Sequence, residues 1–210
     1  MRYLVVIGDV VGSKRLKARA ALQRSLAAEL AAVSAGNGAL ASPYTLTLGD
    51  EFQAVYRRAG GLFADLVRIR AAGLPAEIRL SVAVGRIVTA INPQQALGMD
   101  GPAFHVAREQ VERLKREGGR FALAGDLPGD AVAREAAVEL LSAWTEGWKP
   151  NRWQILLGRL QGRSVADLAA ALGISEPAVY KNLHAGRLET WVTLLRQYEA
   201  VLDGTLSGRG

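Results

Sequence analysis

Apolar residues along this chain change their period several times, and each change marks an element. Tyr3 to Ile7 is a short apolar run bounded by Gly8-Asp9 and Gly12-Ser13, which predicts a buried strand. From Leu16 to Val33 the apolar residues recur at helical spacing (Leu22, Leu26, Leu30, Val33) and stop at Gly36-Asn37-Gly38, a helix with a glycine end. Tyr44 to Leu48 and Phe52 to Tyr56 read as two strands joined by a tight turn at Gly49-Asp50-Glu51. Leu62 to Ala72 is a second helix, ended by Gly73. Ile78 to Val88 alternates as a strand inside a sheet. A third helix spans Ala103 to Glu117, and Arg120 to Ala124 is a last short strand. This order predicts helices packed against a sheet, an α/β or α+β sandwich.

After Asp126-Leu127-Pro128-Gly129 only helical patterns remain, broken at Gly147-Trp148-Lys149-Pro150, Gly162 and Gly173. We therefore divide the chain at residues 125–130, into an N-terminal domain over 1–128 and a helical domain over 129–210. The helix from Ala131 to Trp144 can belong to either side.

Residues 153–187 carry the pattern of a helix-turn-helix. Ala169 is the small residue that lets two helices approach, and Gly173 supplies the left-handed residue that ends the first of them. Val179 packs back on Leu168 and Leu172. Ser164 and Ser175 stand as N-caps, with Pro177 in the first turn, where a missing N–H costs little. Trp153 to Leu160 forms the supporting helix. In such a unit the second helix of the turn enters the major groove of double-stranded DNA. Its exposed positions are Ser175, Glu176, Tyr180, Lys181 and His184, with Arg163 and Arg187 placed to reach phosphates. The competing reading is a helical hairpin that binds protein. A further apolar stripe, Leu188, Trp191, Leu195, Tyr198 and Leu202, suits either subunit pairing or the chain's own core.

Composition narrows the classes. There is no cysteine among the 210 residues, which excludes disulfides, thiolate metal sites and a cysteine nucleophile. The formal charge of +6 favours polyanionic partners, although Arg- and Ala-rich coding produces the same balance. From Lys149 onward eight basic residues face five acidic ones, a small surplus that points to a homodimer reading two half-sites. The N-terminal apolar run is too short to span a membrane and lacks a small-residue cleavage site, so a soluble, cytoplasmic protein with no membrane partner is expected.

Two acids in the N-terminal part suggest chemistry. Asp9 follows the first strand and Asp50 sits in the hairpin turn. An α+β sandwich can bring those strand ends together as a Mg²⁺ site for a nucleotide, with Glu51 as a third ligand. Gly12-Ser13-Lys14, leading into a helix, can hold phosphate. The alternative is that each Asp beside a Gly is a turn residue.

Ile7-Gly-Asp-Val-Val-Gly-Ser and Thr47-Leu-Gly-Asp-Glu-Phe-Gln-Ala-Val-Tyr resemble the two metal-aspartate motifs of class III nucleotidyl cyclases, and the second also resembles the hairpin of diguanylate cyclases. Leu80-Ser-Val-Ala-Val-Gly-Arg is similar to the cyclase central strand, and Gly101-Pro-Ala-Phe-His-Val-Ala-Arg to the helix carrying the cyclase Asn and Arg. The resemblance implies a ferredoxin-like palm fold and, were the protein an enzyme, a catalytic role for Arg108. The chain departs from cyclases where the base-selecting Lys falls near Leu46 and the Asn near Phe104 or His105. Over nearly its full length the chain resembles the SatD family of bacterial proteins, which implies a palm-like domain fused to a helix-turn-helix. These readings favour a transcriptional regulator that senses a nucleotide. The alternative is a Mg²⁺-dependent nucleotidyl cyclase or transferase controlled by its helical tail.

Overall fold

The computed structural model describes residues 1–13, 19–47 and 50–208. The N-terminal part is a five-stranded sheet with helices on both faces. In chain order its elements are β1 (Arg2–Val10), α1 (Arg19–Gly36), β2 (Leu40–Leu46), β3 (Glu51–Tyr56), α2 (Leu62–Ala72), β4 (Ile78–Arg86), α3 (Pro102–Glu117) and β5 (Phe121–Gly125). The sheet order is β2-β3-β1-β4-β5. The first four strands pair antiparallel and β5 adds parallel to β4. The βαββαβ-type order with β1 and β3 inside is ferredoxin-like, and the chain is α+β as expected.

Alternation on the central strands sorts the two faces. Leu4, Val6, Phe52, Tyr56, Val82 and Val84 face α1 and α2 in the larger core, while Val5, Ile7, Val55 and Ala83 face Ala103, Ala107 and Val111 of α3. Every one of these side chains is essentially removed from water.

Two strands differ most from the sequence reading, and β4 also ends at Arg86, short of the expected Val88. β1 does not stop before Gly8-Asp9; it runs through both to Val10, with Asp9 opposite Glu51 on one side and Arg79 on the other. A central strand has a partner on each side, so its ladder outlasts a turn-forming pair. Gly8 belongs there because a Cβ at that position would run into the Phe52 ring. β2 begins at Leu40, ahead of the expected Tyr44, and contains Pro43. It is an edge strand with irregular register, where a residue without an N–H is tolerated.

Five helices follow: α4 (Ala131–Trp144), α5 (Pro150–Leu160), α6 (Val165–Leu172), α7 (Glu176–Gly186) and α8 (Leu188–Leu206). α4 packs beside β5 and buries Val138 in the sheet's core. The helical cluster of Trp153, Leu156, Leu168, Val179 and Leu188 includes Val67 of α2, so the two parts share apolar surface. α8 ties them together. Leu188 and Val192 lie in the helical cluster, whereas Leu195 and Leu202 lie in the sheet's core with Trp191 and Tyr198 packed alongside. The stripe on α8 is therefore the chain's own core and is not available to pair subunits.

α8 also supplies what α2 lacks. The N-cap of α2 is Gly61, which has no side chain to accept from the helix's first amides. Asp203 Oδ1 accepts from the Ala59 amide at 2.5 Å, and Glu199 Oε1 accepts from Phe63 at 3.1 Å. From far along the chain, Glu199 thus meets the positive end of the helix and Asp203 holds the turn that leads into it.

Candidate DNA-reading face and the acidic end of the sheet

The turn between α6 and α7 is built by local sequence. Ser164 accepts from the Asp167 amide at 3.1 Å while Asp167 reaches back to the Ser164 amide, a reciprocal capping box. The Asp167 carboxyl is held below its ordinary range by hydrogen bonds from the Ser164 side chain and then its backbone. Gly173 ends α6 at φ 62°, a region where a side chain is strained. Ser175 then caps α7 by accepting from Ala178.

Val179 and Leu183 turn inward on α7 and are buried against Leu168 and Ala169. The opposite side carries Ser175, Glu176, Tyr180, Lys181 and His184, all exposed, with Tyr180 49% exposed despite its size. Arg163 is exposed at the α5–α6 turn, and its Nη2 donates to the Asp167 carbonyl at 3.2 Å. Arg187 is exposed between α7 and α8 with φ 52°, the one non-glycine residue with positive φ among those described. Sequence reasoning placed all seven of these residues on the unit. It missed two interactions that hold its frame: Arg159 Nε to Glu189 at 2.8 Å, and the Arg152 guanidinium 5.6 Å from the Trp148 ring centre.

The acidic end of the sheet is arranged differently. Asp9 and Glu51 are cross-strand partners, and the Val10 amide bonds the Asp50 carbonyl at 3.3 Å, so the three acids share one end of the sheet. Each meets a partner from within the chain. Asp9 Oδ2 lies 3.0 Å from Arg79 Nη1, and the two side chains are only 11% and 13% exposed. Glu51 accepts from Arg108 on α3 and from Thr47 Oγ1. Ser13 Oγ donates to Asp50. Gly12 has φ 64° and precedes Ser13, while Lys14 lies outside the described residues.

Burial pushes the Asp9 carboxyl above its ordinary value and the Asp50 charge adds to this, against Lys115 and Arg79, which lower it. The Asp50 charge is thus felt at Asp9. Among the described residues no group of three or more His, Cys, Asp or Glu gathers around one point. A Mg²⁺ held here would have Asp9 and Asp50 as its carboxylate ligands, with the rest from phosphate and water, and would compete with Arg79 for Asp9 as it would with Arg108 for Glu51. Phe104 is buried against the sheet, and the His105 ring bonds Asp100 Oδ1 at 2.8 Å.

Sequence reasoning missed the basic side of this end. Arg79 and Ser81 alternate with Ile78, Leu80 and Val82 on β4, so both face α3. Ser81 is fully buried with no hydrogen-bond partner for its Oγ, as is Arg79 Nε. Polar residues on the covered face of an inner strand were the available signal.

Among solved structures the chain is similar to two of a bacterial light-regulated adenylyl cyclase, at 12% and 13% identity and a TM-score of 0.44 each. Each match covers 59% of this chain and spans 43% of the cyclase chain. No curated protein sequence matches. None of the described helices is long and apolar enough to cross a membrane. A homeodomain-like domain model matches residues 149–189, the segment that holds α5, α6 and α7. The SatD family model matches residues 3–143, from β1 to within α4, and the chain belongs to the SatD family.

Proposed function

We propose that this protein is a DNA-binding transcriptional regulator whose sheet domain senses a nucleotide together with Mg²⁺. The observation that carries the DNA reading is the division of α7. One side is buried on α6, and the other presents Ser175, Glu176, Tyr180, Lys181 and His184 to solvent. An α-helix fits the major groove in that orientation, with its N-terminal residues against base edges and Arg163 and Arg187 near the backbone. Selection from a random duplex library, followed by anisotropy titration at several salt concentrations, tests this. A preferred sequence and a steep salt dependence are expected; failure to bind duplex at low salt would reject it.

Because the C-terminal segment carries a small positive surplus, the reading includes a homodimer on two half-sites. The α8 stripe cannot join the copies, since it is internal. Val132, Leu140 and Trp144 instead stand exposed on α4, with Leu140 73% accessible. Sedimentation of Leu140→Glu beside the unaltered chain checks the pairing.

The nucleotide reading rests on Asp9 and Asp50 reaching one end of the sheet beside Ser13. Titration calorimetry with ATP and GTP, with and without Mg²⁺, is expected to show binding that Asp9→Asn abolishes. Arg108 lies at the same end, against Glu51, and this favours a second reading as a cyclase or transferase. Release of pyrophosphate in that titration would select it.

A further inference from the structure

A cavity of about 110 Å³ lies where the sheet domain meets the helices carrying the turn. Leu66 of α2, Leu80 of β4, Leu123 of β5, Leu141 of α4, Leu156 of α5 and Leu195 of α8 all contribute to its wall. The lining is almost wholly apolar, and its charged members are two arginines, Arg70 and Arg120. Apolar cavities of about 150 Å³ accept a benzene ring; this one is smaller, so a single ring is the largest body it can take.

The two arginines share a single carboxylate. Arg120 Nε lies 2.5 Å from Glu77 Oε2, while Arg70 Nη2 is 3.6 Å from Glu77 Oε1, beyond hydrogen-bond length. Arg120 also donates to the Gly119 carbonyl at 3.1 Å. Arg70 has no comparable supply. Its residue is only 9% exposed, its Nη1 is buried without a hydrogen-bond partner, and its guanidinium lies 5.6 Å from the Trp153 ring centre. Burial, and then the neighbouring Arg120 charge, act against the Arg70 cation, and Glu77 only partly offsets them. A buried guanidinium in this condition costs stability, and an anion accepting from it would offset that cost.

We propose that this cavity binds a small apolar monoanion, a carboxylic acid about the size of a single aromatic ring. Its hydrocarbon part fills the leucine-lined space, and its carboxylate accepts from Arg70 once the guanidinium turns over the Trp153 face. The match is of class: apolar walls require a hydrophobic body, and one surplus positive charge requires one negative charge. This site is separate from the acidic end of the sheet and needs no DNA. Its walls belong both to the sheet domain and to α5 and α8.

Trp153 and Trp191 line the cavity, so binding is read directly from tryptophan emission of the full chain. The probes are sodium benzoate, benzyl alcohol as its neutral counterpart, and acetate as a carboxylate without a ring. Benzoate is expected to saturate the signal, benzyl alcohol to bind roughly tenfold more weakly, and acetate to have no effect. Arg70→Met should reduce benzoate to the level of benzyl alcohol, and Ser142→Leu, which fills the space and spares Arg70, should abolish both responses. Equal binding of benzoate and benzyl alcohol, or no saturable response up to about 10 mM, would overturn the proposal. The comparison of the two probes on the unaltered chain decides the matter even if Arg70→Met does not fold.

Discussion

The helix-turn-helix and the acidic end of the sheet use polar residues in opposite ways. On α7 the polar side chains are exposed and stand off the core, and the structure beneath them is made by caps and turns within a few residues. At the sheet end the polar side chains are buried or half-buried, Arg108 alone being exposed, and they answer one another across long sequence distances: Asp9 with Arg79, Glu51 with Arg108, Asp50 with Ser13. An exposed residue costs little and can be exchanged without harm to the fold. A buried charge is bound to its partner, and removing either one exposes the cost of the other. The exposed side of α7 thus tolerates exchange without loss of the fold, while the acidic end is held together as a set.

The comparison breaks most directly if the two regions unfold apart. Phe52→Ala removes a fully buried ring from the sheet's core and should cost about 3–5 kcal/mol. All four tryptophans, at 144, 148, 153 and 191, belong to the helical part. Because α2 and α8 join the two clusters, tryptophan emission is expected to report the same lowered melting temperature as far-ultraviolet circular dichroism. A tryptophan transition that stays put would make the regions independent.

Arg79→Leu should follow at about 3 kcal/mol near neutral pH, by leaving Asp9 buried and unpaired. The pH dependence has a definite sign. Burial already holds the Asp9 carboxyl above its ordinary value, so the folded state favours the protonated acid; that contribution is present at low pH and lost as pH rises through the folded-state pKa. The cost of Arg79→Leu in denaturant titrations should therefore shrink on acidification.

On the reading face the signature reverses. Lys181→Ala combined with Arg187→Gly, the latter suited to φ 52°, should weaken DNA binding by about 1–3 kcal/mol for each base edge no longer read. For each phosphate no longer neutralised, the salt slope should fall by about 0.9. Melting temperature should barely move, as for other surface substitutions.

The smallest effect is expected at Glu199→Gln. Burial raises the Glu199 carboxyl above its usual range despite the Phe63 amide. Its favourable contribution thus exists below the ordinary glutamate value and disappears as pH rises through the folded-state value. Glutamine keeps an acceptor for α2 without the charge, so its stability relative to glutamate should increase with pH in paired thermal melts.

The helix-turn-helix was legible because its signals are local. Ser164, Ala169, Gly173, Ser175 and Val179 each act within a turn or two, and the structure places each where its chemistry predicts. The acidic end was legible only in half. Gly-Asp motifs mark Asp9 and Asp50, but Gly8-Asp9 read as a strand end when pairing on both sides carries β1 through it. Arg79 and Ser81 were not recognised because their role depends on α3 lying over that face of β4.

By itself the sequence determined the element order, the strand alternation that sorts the sheet's two faces, and the turn chemistry of the reading head, since caps, glycines and periodicity act over a few residues. Only the tertiary structure decided which partner each buried charge has, that the α8 stripe is internal, that Glu199 caps α2 with Asp203 bonding the turn before it, and that Arg70 Nη1 lacks a hydrogen-bond partner beside a cavity. Those features arise where segments far apart in the chain meet, and burial sets the strength of every charge among them.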